Sequence, residues 1–337
     1  MTQSSPIHTR RHFTRLLAAF PIVLSTRPLA AQTAPWSMAT EYPASTMSGE
    51  GIALFAARLA QESGGRLAVT PSYDAALKLK SADIVAAIRD GKIAAGDSFG
   101  GALGKIDPLL LLSSLPFVTA TERDSSRLLD AARGLYARRF ARERQRLLYA
   151  APWPPSGLWA KKPIATPADL AGLRLRVYDA TSLAVFTAAG AQAANLSFAD
   201  VMPRIVDGSI EAVLSSGDGG AGKKLWEYMP YFTEIGYAVP LSFATLGQPL
   251  YEGLTPELRG AVDRVAATTQ AQLWTVLTRH LDDNAARLKK NGVTLTTADK
   301  VSPELRAVLA KAASGAIDAW KHNAGPEAAA ILDGFRR

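Results

Sequence analysis

The chain has 337 residues, 38 basic against 30 acidic, a formal net charge of +8 and no cysteine. This length accommodates two domains, and the absence of cysteine excludes both a disulfide framework and a thiolate metal site. No Lys/Arg block is long enough to suggest a nucleic-acid partner.

The first 31 residues read as an address. Twin arginines in Thr9-Arg10-Arg11-His12-Phe13 precede an apolar run from Leu16 to Leu24, and small residues follow around Leu29-Ala30-Ala31. That order is an export signal of the twin-arginine type, with cleavage expected near Ala31 and a periplasmic destination. The run is too short, and too interrupted by Pro21, to read as a resident membrane helix, which needs about 20 residues; a retained anchor is the alternative. Cleavage would remove four arginines and no acid, leaving a basic surplus of only four, and would leave His280 and His322 as the remaining histidines. A histidine-rich metal site is thereby excluded, and no cofactor is expected.

In the mature part, strands are expected near Trp36–Thr40, Leu67–Ser72 and Ile93–Gly96, with a helix from Gly49 to Glu62 whose apolar face is Ile52, Phe55 and Leu59. A second set follows: strands near Arg174–Tyr178, Ala193–Leu196 and Ala212–Ser215, and helices at Thr181–Ala189 and Phe198–Val206. The two sets share a repeat. "ADIVAAIRDGKIAAGD" from Ala82 and "ADVMPRIVDGSIEAVL" from Ala199 have seven identities in sixteen positions. Each reads as a helix, an Asp-Gly cap and a strand, half of an α/β crossover unit. Seven such matches also arise between unrelated α/β units, so the repeat by itself supports two α/β lobes with mainly parallel sheets. Beyond them, Thr255-Pro256 is an N-cap with Pro at the first helical position, and helix-permissive sequence runs from there to Asn291-Gly292. About 37 residues at ~1.5 Å each would span both lobes as a strut; two interrupted helices are the alternative.

Three stretches carry candidate chemistry. Gly96-Asp97-Ser98-Phe99-Gly100 fits the nucleophile elbow of serine hydrolases, but it lacks a long helix after it and an oxyanion loop before it. Gly217 to Lys224 nearly fits a phosphate loop and fails where Lys224 replaces the hydroxyl that ligates Mg²⁺. It reads as a glycine turn into a helix at Lys223–Tyr228, with backbone N–H groups available to an anion. The third stretch, "TPADLAGLRLRVYDA" from Thr166, alternates Leu173, Leu175 and Val177 with Arg174 and Arg176. Both arginines sit in water if the strand lies at an edge. Alternatively, Arg176 ends the strand at the ligand crevice of an open α/β sheet, where a guanidinium fork suits a carboxylate.

With these segments in order, the chain resembles the substrate-binding proteins of tripartite ATP-independent periplasmic (TRAP) transporters, DctP type. The resemblance rests on "ESGGRLAV" (Glu62–Val69), the helix before Asp90-Gly91, "LPFV" (Leu115–Val118), "TPADLAGLRLRV", Gly190-Ala191, the helix before Asp207-Gly208 and the strut. It implies a two-lobed periplasmic binding protein of type II-like architecture that closes on an organic acid and hands it to integral-membrane TRAP subunits, and it implies that Arg176 binds the carboxylate. The ligand class stays open among dicarboxylates, keto acids and aromatic carboxylates. Strand ends facing the gap add Glu41, Tyr42, Ser98, Phe99, Ser215, Ser216 and Asp218, and Trp153, Trp159 and Tyr178 lie near the crossing or near Arg176. Each aromatic taken singly reads more readily as core or hinge packing than as ligand wall; several together favour a ligand with an apolar body as well as a carboxylate. Lobe I is expected to comprise residues 32–156 plus about 243–282, and lobe II 157–242 plus about 283–337. The expectation is a receptor and not an enzyme; an exported hydrolase using Ser98 and a ligand-binding sensor component are the rival classes.

Overall fold

The structure, a computed structural model, describes residues 1–3 and 35–335. The expected twin-arginine signal and its cleavage site near Ala31 lie outside the described residues. The strands are β1 (Trp36–Ala39), β2 (Val69–Ser72), β3 (Ala95–Phe99), β4 (Gln145–Pro152), β5 (Ser156–Ala160), β6 (Arg174–Val177), β7 (Gln192–Asn195), β8 (Ala212–Ser216), β9 (Tyr231–Thr233), β10 (Leu241–Gly247) and β11 (Thr294–Thr296). The first helices are α1 (Met47–Glu62), α2 (Ser81–Arg89), α3 (Glu122–Arg142), α4 (Pro167–Leu170), α5 (Ala180–Ala188) and α6 (Val201–Val206). They are followed by α7 (Gly217–Gly222), α8 (Gln248–Glu252), α9 (Pro256–Lys290), α10 (Pro303–Ala324) and α11 (Pro326–Phe335).

Two sheets result, ordered β2-β1-β3-β10-β4 and β11-β9-β5-β8-β6-β7. Strands contributed locally pair in parallel, β2 with β1 and β1 with β3 in lobe I, β7 with β6 and β6 with β8 in lobe II. One strand of each sheet, β10 and β5, is antiparallel to its neighbours and arrives from the other lobe. β5 follows β4 across from lobe I and pairs with β8, and β10 follows β9 back from lobe II and pairs with β3. Each sheet is therefore mixed but still mainly parallel, as expected, with one strand, β10 or β5, running against the rest. The reason is connectivity: a strand entering a lobe directly from its neighbour has no helical crossover to turn it parallel.

The repeat is visible as this architecture. α2 leads through Gly91 (φ +71°) into β3, and α6 leads through Gly208 (φ +77°) into β8. Both glycines hold a left-handed conformation that a side chain resists, so the Asp-Gly pair recurs for a backbone reason. β3 and β8 then occupy equivalent central positions in the two sheets.

The strut is one unbroken helix. α9 runs 35 residues from its Thr255 cap, whose side chain accepts from the Leu258 N–H, and so spans about 52 Å. Val262, Val265 and Leu273 join the core of lobe I, while Leu288 joins that of lobe II. α10 also crosses. Its first half packs Leu305 and Leu309 into lobe II, and its second half packs Ile317 and Trp320 against α3 and the 108–114 turn of lobe I. The Trp320 indole N–H donates to the Pro108 carbonyl at 2.6 Å. Among the described residues no helix is long and apolar enough to cross a membrane.

One local expectation is corrected. The glycine run at 217–222 is itself the helix α7, and Lys223 and Lys224 end it. Ser216 starts it by accepting from the Gly219 N–H at 3.1 Å. Glycine is required because α7 lies flat on Trp159: a Cβ on Gly220 would stand 2.2 Å from the indole ring.

Candidate functional site

The two sheets point their strand ends at one another across a closed cleft. Tyr42 after β1 and Phe99 at the end of β3 come from lobe I. Trp153 and Pro240 come from the two crossovers. Ser156, Arg176, Tyr178, Phe198, Ser215 and Ser216 come from lobe II. Together they line a cavity of about 20 Å³. Tyr42 packs on Trp153 (centroids 4.7 Å apart) and stacks on Phe198 (5.2 Å), while Phe99 meets Tyr178 edge-on at 5.1 Å.

Arg176 is the one charged side chain on this wall, and it is 3% exposed. Alternation along β6 explains its difference from Arg174. Both point to the same side of the strand, but Arg174 at the outer end pairs with Glu211 at 2.9 Å in solvent. Arg176 reaches the inner end, where its Nε donates to the Leu196 carbonyl (2.8 Å) and Nη1 to that of Leu214 (3.0 Å). The guanidinium lies 5.6 Å from the Phe198 ring centroid. It forms no ion pair with a carboxylate among the described residues. Burial holds its pKa below the ordinary arginine value; the Glu41 and Asp179 carboxyls nearby oppose that shift. A guanidinium has five N–H donors, so two carbonyls orient the fork and leave donors directed at whatever enters. Burial also pushes the Tyr42 and Tyr178 hydroxyls up, keeping them neutral.

Tyr42, Phe99, Trp153, Arg176, Tyr178, Ser215 and Ser216 thus come together, while four other sequence candidates are occupied elsewhere. Glu41 accepts from the Ser81 hydroxyl (2.6 Å) and from the Ser197 hydroxyl of lobe II (3.0 Å); it is a contact between lobes beside the cavity. Ser98 donates to the Ser81 carbonyl at 2.9 Å and faces α2, with no histidine in reach among the described contacts. Asp218, fully buried, accepts from the Met47 N–H (2.9 Å) at the start of α1 and pairs with His280 (2.8 Å). Trp159 is buried in lobe II against Phe232. Sequence reasoning did not select Phe198, Ser156 and Pro240. Phe198 lies just beyond the carboxyl end of β7, so the strand-end rule applied to β7 would have found it. Ser156 opens β5 and Pro240 sits on a crossover, and no local signal marks either.

The cleft is held shut by polar contacts around its rim. His280 on α9 reaches Asp218 of α7 with Nδ1 and Glu50 of α1 with Nε2, at 2.8 and 2.9 Å. Burial opposes charging of this ring, but the hydrogen bonds to Asp218 and Glu50 prevail and raise its pKa. Lys80 pairs with Asp200 at 2.7 Å, Lys223 with Asp74, and Ser114 donates to Asp179 at 2.9 Å. All three join lobe I to lobe II.

A two-lobed molecule with a strut, two crossovers and one buried cation in an aromatic cleft has the architecture of a solute receptor. The profile of DctP, the bacterial extracellular solute-binding protein family 7, matches residues 38–320. The chain belongs to this family. Among solved structures it is similar to DctP7 of Bordetella pertussis, an extracytoplasmic solute receptor binding pyroglutamic acid. The two are 27% identical with a TM-score of 0.85, covering 90% of this chain and 100% of that one. It is similar to a marine-metagenome TRAP solute-binding protein specific for pyroglutamate at 25% identity and a TM-score of 0.84, covering 90% of this chain and 99% of that one. In fold it also matches the TRAP protein of Roseobacter denitrificans with bound L-galactonate (20%, TM-score 0.80, 90% and 98% covered). A solute-binding protein of Chromohalobacter salexigens is 23% identical over 253 residues, 72% of this chain and 74% of that protein. DctP proteins of the TRAP type are two-lobed solute receptors rather than enzymes, and they are periplasmic.

Proposed function

We propose that this DctP protein captures a small organic monocarboxylate, of the size and polarity of pyroglutamate, and delivers it to the membrane subunits of a TRAP transporter. The observation that carries this reading is Arg176: a buried guanidinium, oriented by two carbonyls, with no ion-paired carboxylate among the described residues. A buried charge without a counter-charge is costly, and a bound carboxylate in a bidentate pair offsets that cost. One cation favours one carboxylate over two. The rings of Tyr42, Phe99, Trp153, Tyr178 and Phe198 favour a ligand with an apolar body, and the hydroxyls of Ser156, Ser215 and Ser216 suit its remaining polar atoms. The two pyroglutamate-binding relatives, at 27% and 25% identity, support the same class.

Mechanistically, a cavity of about 20 Å³ holds about one water, so an acid enters while the lobes are apart. Binding to Arg176 from lobe II, with Tyr42 and Phe99 closing from lobe I, draws the equilibrium toward the closed form. The closed form is then the species that presents a surface made of both lobes to the transporter.

Isothermal titration of the exported chain with pyroglutamate, succinate, 2-oxoglutarate and benzoate tests the ligand class. Tight binding of pyroglutamate alone is the expected result. Preference for a dicarboxylate would overturn the monocarboxylate assignment, and no binding of any acid would overturn the organic-acid reading. Delivery is tested by receptor-dependent uptake of the same acid into proteoliposomes bearing the membrane subunits.

A further inference from the structure

A second cavity lies across the crossovers from the Arg176 cleft. It has a volume of about 700 Å³ and runs between α9 and the β9/β11 edge of lobe II, with both crossovers (Pro154, Pro155 and Gly236) in its wall. Its apolar lining includes Phe232, Leu281, Leu288, Val293 and Leu295, the last of which is exposed. At Glu234 and Ala298 it continues into a further recess of about 230 Å³ lined by Phe117, Val301 and Leu309. The volume falls in the ~300–1,000 Å³ range of small-molecule sites, and a mainly apolar wall with a few polar groups is their usual character.

The polar groups favour an acid head. Lys289 makes no ion pair among the described residues. Arg306 is held by the carbonyls of Ala298 (2.7 Å) and Val301 (2.6 Å), again without an ion-paired acid. Glu234 is the one carboxylate on the lining, so cations outnumber it. Asn284 supplies a second observation. It is 5% exposed and lies in the cavity wall, yet neither its amide oxygen nor its nitrogen has a partner among the described residues. Unpaired buried amides are rare in native proteins and point to a missing partner.

We propose that this groove is a second binding site for a free amphipathic monoacid, with its apolar chain along Phe232, Leu288 and Val293 and its carboxylate toward Lys289 and Asn284. Ser156 lines both this groove and the Arg176 cleft, so the two cavities adjoin at that residue. The site is independent of the ligand assigned to the cleft.

Sodium octanoate is the probe. Titrated into the full chain, it is expected to bind wild type and Arg176→Ala alike, and to lose about tenfold or more in affinity, some 1.4 kcal/mol, in Lys289→Glu and in Asn284→Ala. Lys289 is exposed, and truncating Asn284 removes an unpaired amide, so both variants are expected to fold; their melting temperatures, measured alongside, verify it. Loss of octanoate binding in Arg176→Ala would place the molecule in the cleft and overturn the proposal. Binding unaffected by Lys289→Glu and Asn284→Ala, or absent up to millimolar octanoate, would overturn it as well.

Discussion

Tyr42 of lobe I stacks on Phe198 of lobe II, with centroids 5.2 Å apart and planes inclined by 27°. It is a ring contact between the two lobes across the closed cleft, and Phe198 also carries the Arg176 guanidinium on its face. Closure and the acid binding proposed for Arg176 would therefore share one side chain. In a double-mutant cycle, Tyr42→Leu and Phe198→Leu should each weaken acid binding, with a coupling of about 0.5–1.5 kcal/mol, the usual size for an aromatic pair. Titration calorimetry on the four proteins measures it; strict additivity would mean that the stack contributes nothing to the bound state.

Arg176→Lys should reduce acid affinity by more than about tenfold, or ~1.4 kcal/mol. A lysine keeps the charge but loses both the planar fork and the pair of carbonyl anchors at Leu196 and Leu214. Unchanged affinity would remove Arg176 from the site.

The His280 latch makes stability depend on pH with a definite sign. Its folded pKa is raised above the ordinary 6.5 by Asp218 and Glu50, against the effect of burial. The contribution is therefore fully present below about pH 6.5 and is lost as pH rises through the raised folded value. Melting temperature followed from pH 5.5 to 9 should fall over that window in wild type and fall less in His280→Gln. Equal slopes in the two proteins would show that His280 does not titrate with unfolding.

Asp97 predicts another slope. Its carboxyl is completely buried on β3, and burial raises its pKa to about 7; Ser48 and Ser242 beside it pull the other way, yet neither oxygen has a well-formed hydrogen bond. A carboxyl with a folded pKa above its unfolded 3.8 destabilises progressively as pH rises from about 4 to 7. Asp97→Asn should leave stability near pH 4 almost unchanged and raise the melting temperature at pH 8 by a few degrees. A lower melting temperature at pH 8 would show that the ionised carboxylate has a stabilising partner.

Gly220→Ala should destabilise by about 1–3 kcal/mol, the usual cost of overpacking, because the added Cβ meets Trp159 at 2.2 Å. Urea unfolding measures this, and an unchanged midpoint would mean that α7 shifts freely over the indole.

Local segments were legible without the fold. The two helix–glycine–strand units, the Thr255-Pro256 start of the strut and the position of Arg176 at a strand end follow from caps, backbone conformations and periodicities of two and 3.6 residues. The resemblance of those segments, taken in order, also announced the family. Tertiary structure decided the rest. The direction of β5 and β10 depends on which lobe each strand enters, which their own residues do not encode. Along β3, alternation says that Ser98 and Phe99 face opposite sides, but only the packing of α2 against that strand shows that Ser98 is spent on Ser81 while Phe99 reaches the cleft. Asp218 and His280 are 62 positions apart, and Glu41 and Ser197 are 156 apart. A buried polar group is satisfied by whatever the closed molecule brings within about 3 Å, and partners so distant in sequence become partners only when the two lobes meet.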